Sequence, residues 1–210
     1  MRGGKGENMR NTRVQALVEM ALSVALAAIL NFLALRLPIN LAGGSVSLCM
    51  LPIAVLALRR GVWAGAGAGA IFGLLDLLME PYILFPAQVI LDYPLPYLLL
   101  GAGVGLFAGL YNAKPAEAAQ ASATHPSHPN HPRTARSAAI IAVALLAGGT
   151  LRYASHVLSG VLFFSEYAGG ENVWAYSLVY NISYLGPSLA VSLLCALVVM
   201  PILDRAVPVD

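Results

Sequence analysis

Between Val14 and Leu35 the chain runs for about 22 residues with Glu19 as its one charge, enough for a helix to cross the ~30 Å hydrocarbon core of a bilayer. Further apolar segments follow at 46–58, 63–79, 86–110, 137–164 and 173–203, each closed by a polar or Pro/Gly break. With 59% hydrophobic and 10% charged residues, a 210-residue chain holds more apolar surface than one soluble core buries. The expectation is an all-α integral membrane protein, a bundle of six transmembrane helices forming a single membrane domain. A net charge of +2 does not point to nucleic acid. Cys49 and Cys195 sit inside apolar runs and read as small core residues rather than a disulfide. The first segment continues beyond signal-peptide length and reads as a retained span.

The segments are not alike. Val46–Leu58 is only about 13 residues, short for a full crossing unless protein flanks it. GAGAGA at 65–70 supplies small residues that let helices approach closely, a better reading than a phosphate loop. Pro94 and Pro96 interrupt the fourth segment and free backbone carbonyls, which membranes tolerate where protein or a cavity satisfies them. Residues 111–136, rich in Ala, Pro, His and Ser, read as a disordered cytosolic loop. In it His125, His128 and His131 would align on one edge of a polyproline II helix, although a solvated linker is the simpler reading than a metal site. The expected organisation is a tail at 1–13, helices 1–4 over 14–110, that loop, helices 5–6 over 137–203 and a tail at 204–210.

Six spans put both termini on one side. All Lys and Arg except Arg36 and Arg152 fall in the N-terminal tail, the 2–3 turn, the 4–5 loop or the C-terminal tail, so the positive-inside rule makes both termini cytosolic.

Ionisable residues inside spans are expensive, about 2.5–3.5 kcal/mol at a helix centre on insertion scales, and normally face a bundle interior or wet cavity. Arg152 and His156 lie four residues apart, on one helical face; the comparable carboxylates are Glu19, Asp76 and Asp92. Counted from the outer ends of their spans, Asp92 and His156 are both roughly 9–12 Å deep. Tyr176, Tyr180, Asn181 and Tyr184 enter from the same side. Carboxylate, imidazole, amide and aromatic groups at one depth suit a small, partly aromatic, cationic ligand arriving from outside. Taken singly, each has a plainer role: Tyr82, Trp174 and Tyr176 as interfacial belt, His156 as a bonded core histidine, Arg152 as a structural partner of Asp76 or Asp92, and Glu19 as a snorkelling acid.

No HExxH, Walker A or GxSxG motif and no carboxylate pair with metal-ligand spacing is present, so no enzyme signature and no metal site emerge. Four ordered motifs, GGSVSLCMLPIAVLALRRG at 43–61, LDYPL at 91–95, HVLSGVLFFSEYA at 156–168 and WAYSLVYN at 174–181, closely resemble the thiamine-binding S components of energy-coupling factor (ECF) transporters, the ThiT/YuaJ family. The resemblance covers about residues 14–203 apart from the His-Pro loop. It implies a six-helix S component of the prokaryotic plasma membrane that captures thiamine from outside, needs no cofactor, and docks on a transmembrane coupling protein with two cytosolic ATPases that use ATP. It further implies Asp92, followed by Tyr93, as the acid that meets the aminopyrimidine ring nitrogen and exocyclic amine together, with His156, Tyr176 and Asn181 as polar contacts, Tyr82 as an aromatic contact and Gly160 allowing close approach. Some members carry Glu in place of Asp92, and Trp in place of Phe164 and Phe72 beside the thiazolium. The family's AxxxA docking motif matches Ala21 and Ala25. Two alternatives stay open here: an S component for another vitamin or a thiamine precursor (hydroxymethylpyrimidine, riboflavin), separable by competition, and an intramembrane enzyme using His156 with Asp92 or Asp76, separable by product formation.

Overall fold

The structure, a computed structural model, describes residues 3–36, 40–41, 44–113 and 135–207, with side chains over 13–34, 45–113 and 135–207. Arg36 and the row His125, His128, His131 therefore fall outside the described side chains, as do the tail residues 208–210 and most of the 111–136 loop.

Helix α1 (Gly3–Arg36) opens the chain, its backbone already helical through the stretch expected as a polar tail. A two-residue hairpin, Asn40–Leu41 against Gly44–Ser45, precedes α2 (Met50–Arg60). Then come α3 (Val62–Met79), α4 (Pro86–Asp92), α5 (Pro94–Gly105), α6 (Ala108–Asn112), α7 (Ala135–Phe163), a 3-10 turn at Ser165–Ala168, and α8 (Val173–Ala206). Among the described residues five stretches are long and apolar enough to span a bilayer: Arg13–Ala34, Val62–Met79, Pro86–Asn112, Ala135–Phe163 and Val173–Ala206. The sixth segment of the bundle is α2, at 11 residues shorter than the sequence suggests.

The shortness of α2 has a local cause. Residues 45–49 turn into the bundle instead of continuing the helix: the Ser47 N–H donates to Ser188 Oγ at 3.1 Å and the Cys49 N–H to Ser47 Oγ at 3.1 Å. Irregular backbone at this depth is tolerated because side chains satisfy it and Ser45 and Ser47 face a cavity. The proline pair acts similarly. The segment 86–112 breaks at Tyr93, between α4 and α5, and Pro94 opens α5, where a missing N–H costs nothing.

The glycine run brings α3 and α5 into backbone contact. A Cβ at Gly65 would strike the Gly101 carbonyl, and one at Gly69 the carbonyl of Tyr97. Around that contact, toward the end of the bundle carrying Arg59 and Arg60, lies a dry core of Ile53, Leu58, Leu100, Leu145 and Met200, all fully buried. Ion pairs close this end: Glu19 receives both Arg60 Nε and Nη2 at 2.7 Å, and Arg59 Nη1 lies 3.1 Å from Asp204 Oδ1. At the opposite end the bundle is hollow.

Candidate functional site: a polar cavity with an aromatic wall

A cavity of about 730 Å³ occupies the half of the bundle away from Arg59, between α1, α3, α4, α5, α7 and α8. Its centre is an acid–imidazole pair. Asp92 ends α4 where the chain breaks at Tyr93, and His156 Nδ1 lies 3.5 Å from Asp92 Oδ1, the His156 side chain 12% and the Asp92 side chain 18% exposed. One bond sets their relative position: the Ser155 hydroxyl donates to the Leu91 carbonyl at 2.8 Å, tying α7 to α4; a second, from the Ser177 hydroxyl to the Val157 carbonyl at 2.9 Å, ties α8 to α7. His156 Nε2 is buried and has no partner among the described residues, an unmet polar atom beside a cavity that both residues line.

Behind Asp92 stands Gln88, one helical turn earlier and 1% exposed, whose Nε2 donates to Asp92 Oδ2 at 2.7 Å. The Tyr93 side chain reaches back to the loop after α3: its hydroxyl accepts from the Tyr82 N–H at 2.8 Å and donates to the Glu80 carbonyl at 2.9 Å. Tyr93 thus lines the cavity while its hydroxyl is committed to the loop.

The mouth is aromatic. Tyr82 and Phe164 stack with ring centroids 6.0 Å apart, Phe164 and Tyr167 are tilted at 5.9 Å, and the Tyr82 and Tyr167 hydroxyls share a 2.7 Å hydrogen bond. That bond raises the Tyr82 phenol above its ordinary range and leaves it neutral. Facing this wall, Tyr176, Tyr180 and Tyr184 descend α8 at four-residue spacing, stacked at 6.0 Å and then edge-on at 5.9 Å. The Tyr184 hydroxyl donates to Asn181 Oδ1 at 2.8 Å, and Asn181 Nδ2 donates to the Ser177 carbonyl at 2.9 Å. Gly160 faces the cavity, and a Cβ there would collide with Ser177 Oγ, so it also sets the approach of α7 to α8.

The far end of the cavity holds a relay across four helices. Asn31 Nδ2 donates to Asp76 Oδ1 at 2.6 Å, the Tyr97 hydroxyl donates to Asp76 Oδ2 at 3.2 Å, and Arg152 Nη2 donates to the Tyr97 oxygen at 3.0 Å. The Arg152 guanidinium also covers the Tyr97 ring, 4.2 Å from its centroid. Arg152 is thereby joined to Asp76 through Tyr97. The cavity's carboxylates, Asp76, Glu80 and Asp92, outnumber its single guanidinium, a balance that favours a cation.

Asp92, Tyr93, His156, Gly160, Phe164, Tyr176, Asn181 and Tyr82, expected together from the sequence, all line this one cavity. Phe72 does not. It is fully buried in the core with its ring edge-on to Tyr97 at 4.6 Å, because glycine packing seats α3 against α5 and turns that face inward. Ala21 and Ala25 lie on the exposed face of α1, opposite the buried row Val24, Ala27 and Asn31. Gln88 and Tyr167 were not foreseen. Tyr167 stood inside a quoted motif, and the only hint of Gln88 was a polar residue one turn before Asp92. Among the described residues no group of three or more His, Cys, Asp or Glu could hold a metal ion.

The model of the thiamine transporter protein family (Thia_YuaJ) matches residues 17–208. The chain belongs to that family. It is 33% identical over 187 residues to the thiamine transporter ThiT of Bacillus subtilis, covering 87% of this chain and 86% of that protein. It is 31% identical over 164 residues to ThiT of Lacticaseibacillus paracasei, covering 76% and 72%. The solved structure of ThiT from Listeria monocytogenes superposes with a TM-score of 0.71 at 31% identity, over 93% of this chain and 96% of that one. Membership in Thia_YuaJ makes the protein a multi-pass membrane protein with the S-component fold, and its role one of transport rather than catalysis.

Proposed function

We propose that this chain is the substrate-binding S component that takes thiamine from the outer face of a prokaryotic plasma membrane and hands it to an ATP-driven ECF transporter. The carrying observation is that an acid–imidazole pair and an aromatic wall share one cavity of acidic balance. Thiamine presents the complementary groups: an exocyclic amine that donates to a carboxylate oxygen, ring nitrogens that bond to Asp92, His156 or Asn181 according to which partner holds the proton, and a thiazolium cation that lies against aromatic faces. Tyr82, Phe164 and Tyr176 supply those faces. Phe72, walled off by Tyr97, contributes only through packing.

The mouth lies at the end carrying Glu80, Glu166 and Glu171, while Arg59, Arg60 and Arg205 mark the other. Positive charge on the closed end supports cytosolic termini and an outward-opening cavity. The exposed small residues Ala21 and Ala25 then give α1 a face on which a transmembrane coupling protein can seat, with two cytosolic ATPases beneath it supplying the ATP chemistry. The membrane unit comprises helices over 14–110 and 137–203, and the protein needs no cofactor of its own.

Calorimetric titration of the purified protein tests this. Thiamine is expected to saturate one site at submicromolar concentration, with hydroxymethylpyrimidine weaker and riboflavin without competition. No heat with thiamine, or tighter binding of riboflavin, overturns the reading.

A further inference from the structure

We propose that Gln88 is the positioning residue of this site: it holds the Asp92 carboxylate in its ligand-facing orientation and registers it against the aromatic mouth, without touching the ligand. This rests on the thiamine reading above. Gln88 is 1% exposed and lies behind Asp92, outside the lining of the cavity. A primary amide buried in a membrane helix is costly unless bonded, and this one is fully engaged.

Its orientation is dictated by its neighbours. The Leu84 backbone N–H can only donate, and it meets Gln88 Oε1 at 3.1 Å, so the oxygen must face the loop. The two hydrogens on Nε2 are then directed at two acceptors, the Tyr82 carbonyl at 3.0 Å and Asp92 Oδ2 at 2.7 Å. One amide therefore fixes the carboxylate and the loop that carries Tyr82, whose ring stacks on Phe164. With Oδ2 held by Gln88 and Oδ1 facing His156, the carboxylate plane has little freedom to rotate. The loop itself has an independent clamp, since the Tyr93 hydroxyl bonds the Tyr82 N–H and the Glu80 carbonyl. Removing the Gln88 donor should thus release the carboxylate more than the loop.

A double-mutant cycle on the full-length protein tests the assignment, with thiamine as the probe. Gln88→Met keeps the length and removes the donor; it is expected to weaken binding about tenfold when Asp92 is present and less than about twofold in an Asp92→Asn background. It should also shrink the preference for thiamine over the analogue in which oxygen replaces the exocyclic amine. Gln88→Glu serves if Gln88→Met does not fold: it keeps the acceptor for Leu84 but sets a like charge against Asp92. Its loss is expected to be clearly larger beside Asp92 than in the Asp92→Asn background, where the new amide restores that bond with donor and acceptor exchanged, while the bond to the Tyr82 carbonyl is lost in both. Equal losses in both backgrounds, or an unchanged preference between thiamine and the analogue, overturn the role of Gln88. A wild-type protein that ignores thiamine sinks the site reading itself, a result distinct from additive losses.

Discussion

The two halves of the bundle use the same helices in opposite ways. Toward Arg59, small and aliphatic residues close the space completely: Ala57 and Leu58 of α2 and Leu100 of α5 are 0% exposed, and glycines bring the α3 and α5 backbones together. Toward Tyr82, the facing positions are Asp76, Asp92, Tyr97, Arg152, His156, Asn181 and Tyr184, polar side chains that bond as Asp76–Tyr97–Arg152, Asp92–His156 and Tyr184–Asn181 and leave about 730 Å³ open. In lipid there is little hydrophobic gain from helix contact, so fit decides where helices close, and polar groups that need partners decide where they stay apart. The packed half is a scaffold, and the hollow half is the proposed binding site.

Four substitutions break or sharpen that contrast. The largest effect is expected from Gly65→Leu in the packed half: forced against Gly101, the side chain should cost about 3 kcal/mol or more of stability and lower the unfolding temperature in detergent, while the protein that stays folded keeps its thiamine affinity. Asp92→Asn should do the reverse. Loss of a charge-assisted contact is worth about 1.5–3 kcal/mol, roughly 10- to 150-fold in Kd by calorimetry, with expression and unfolding temperature unchanged. An affinity unmoved by this change would reassign Asp92 to the scaffold. Tyr82→Phe removes the link to Tyr167 but keeps the stack on Phe164; about two- to tenfold faster thiamine release is expected in stopped-flow measurements. The smallest effect should come from Phe164→Trp, a better cation–π face, with about two- to fivefold tighter binding of thiamine and no gain for the uncharged hydroxymethylpyrimidine.

Most of this division was legible in the sequence, for physical reasons that also mark its limits. Apolar length alone set five of the spans. The sixth is identified but overextended, because residues 46–49 are apolar enough for a helix and only the bond from the Ser47 N–H to Ser188, with the bond from the Cys49 N–H to the Ser47 hydroxyl, turns them aside. Asp92 and His156 stood out because ionisable groups in a span must face an interior, and similar distances from the outer ends of their helices placed them together. The partner of Arg152 was less clear: Asp76 and Asp92 were equally available from sequence, and Tyr97 supplies the bridge to Asp76. Phe72 lies away from the cavity: an aromatic residue matched to a family position carries no information about which way its helix faces. That face is set by the close approach of Gly69 to Tyr97. Gln88 stayed hidden since one amide in an apolar helix looks the same whether it meets a loop or snorkels to the interface.

The most direct measurement is a structure of the protein with thiamine bound. The expected result places the aminopyrimidine between Asp92 and His156, its exocyclic amine on the carboxylate, and the thiazolium against Tyr82, Phe164 and Tyr176. Thiamine bound elsewhere, or a ring in this cavity that leaves Asp92 and His156 bonded only to each other, would contradict the account.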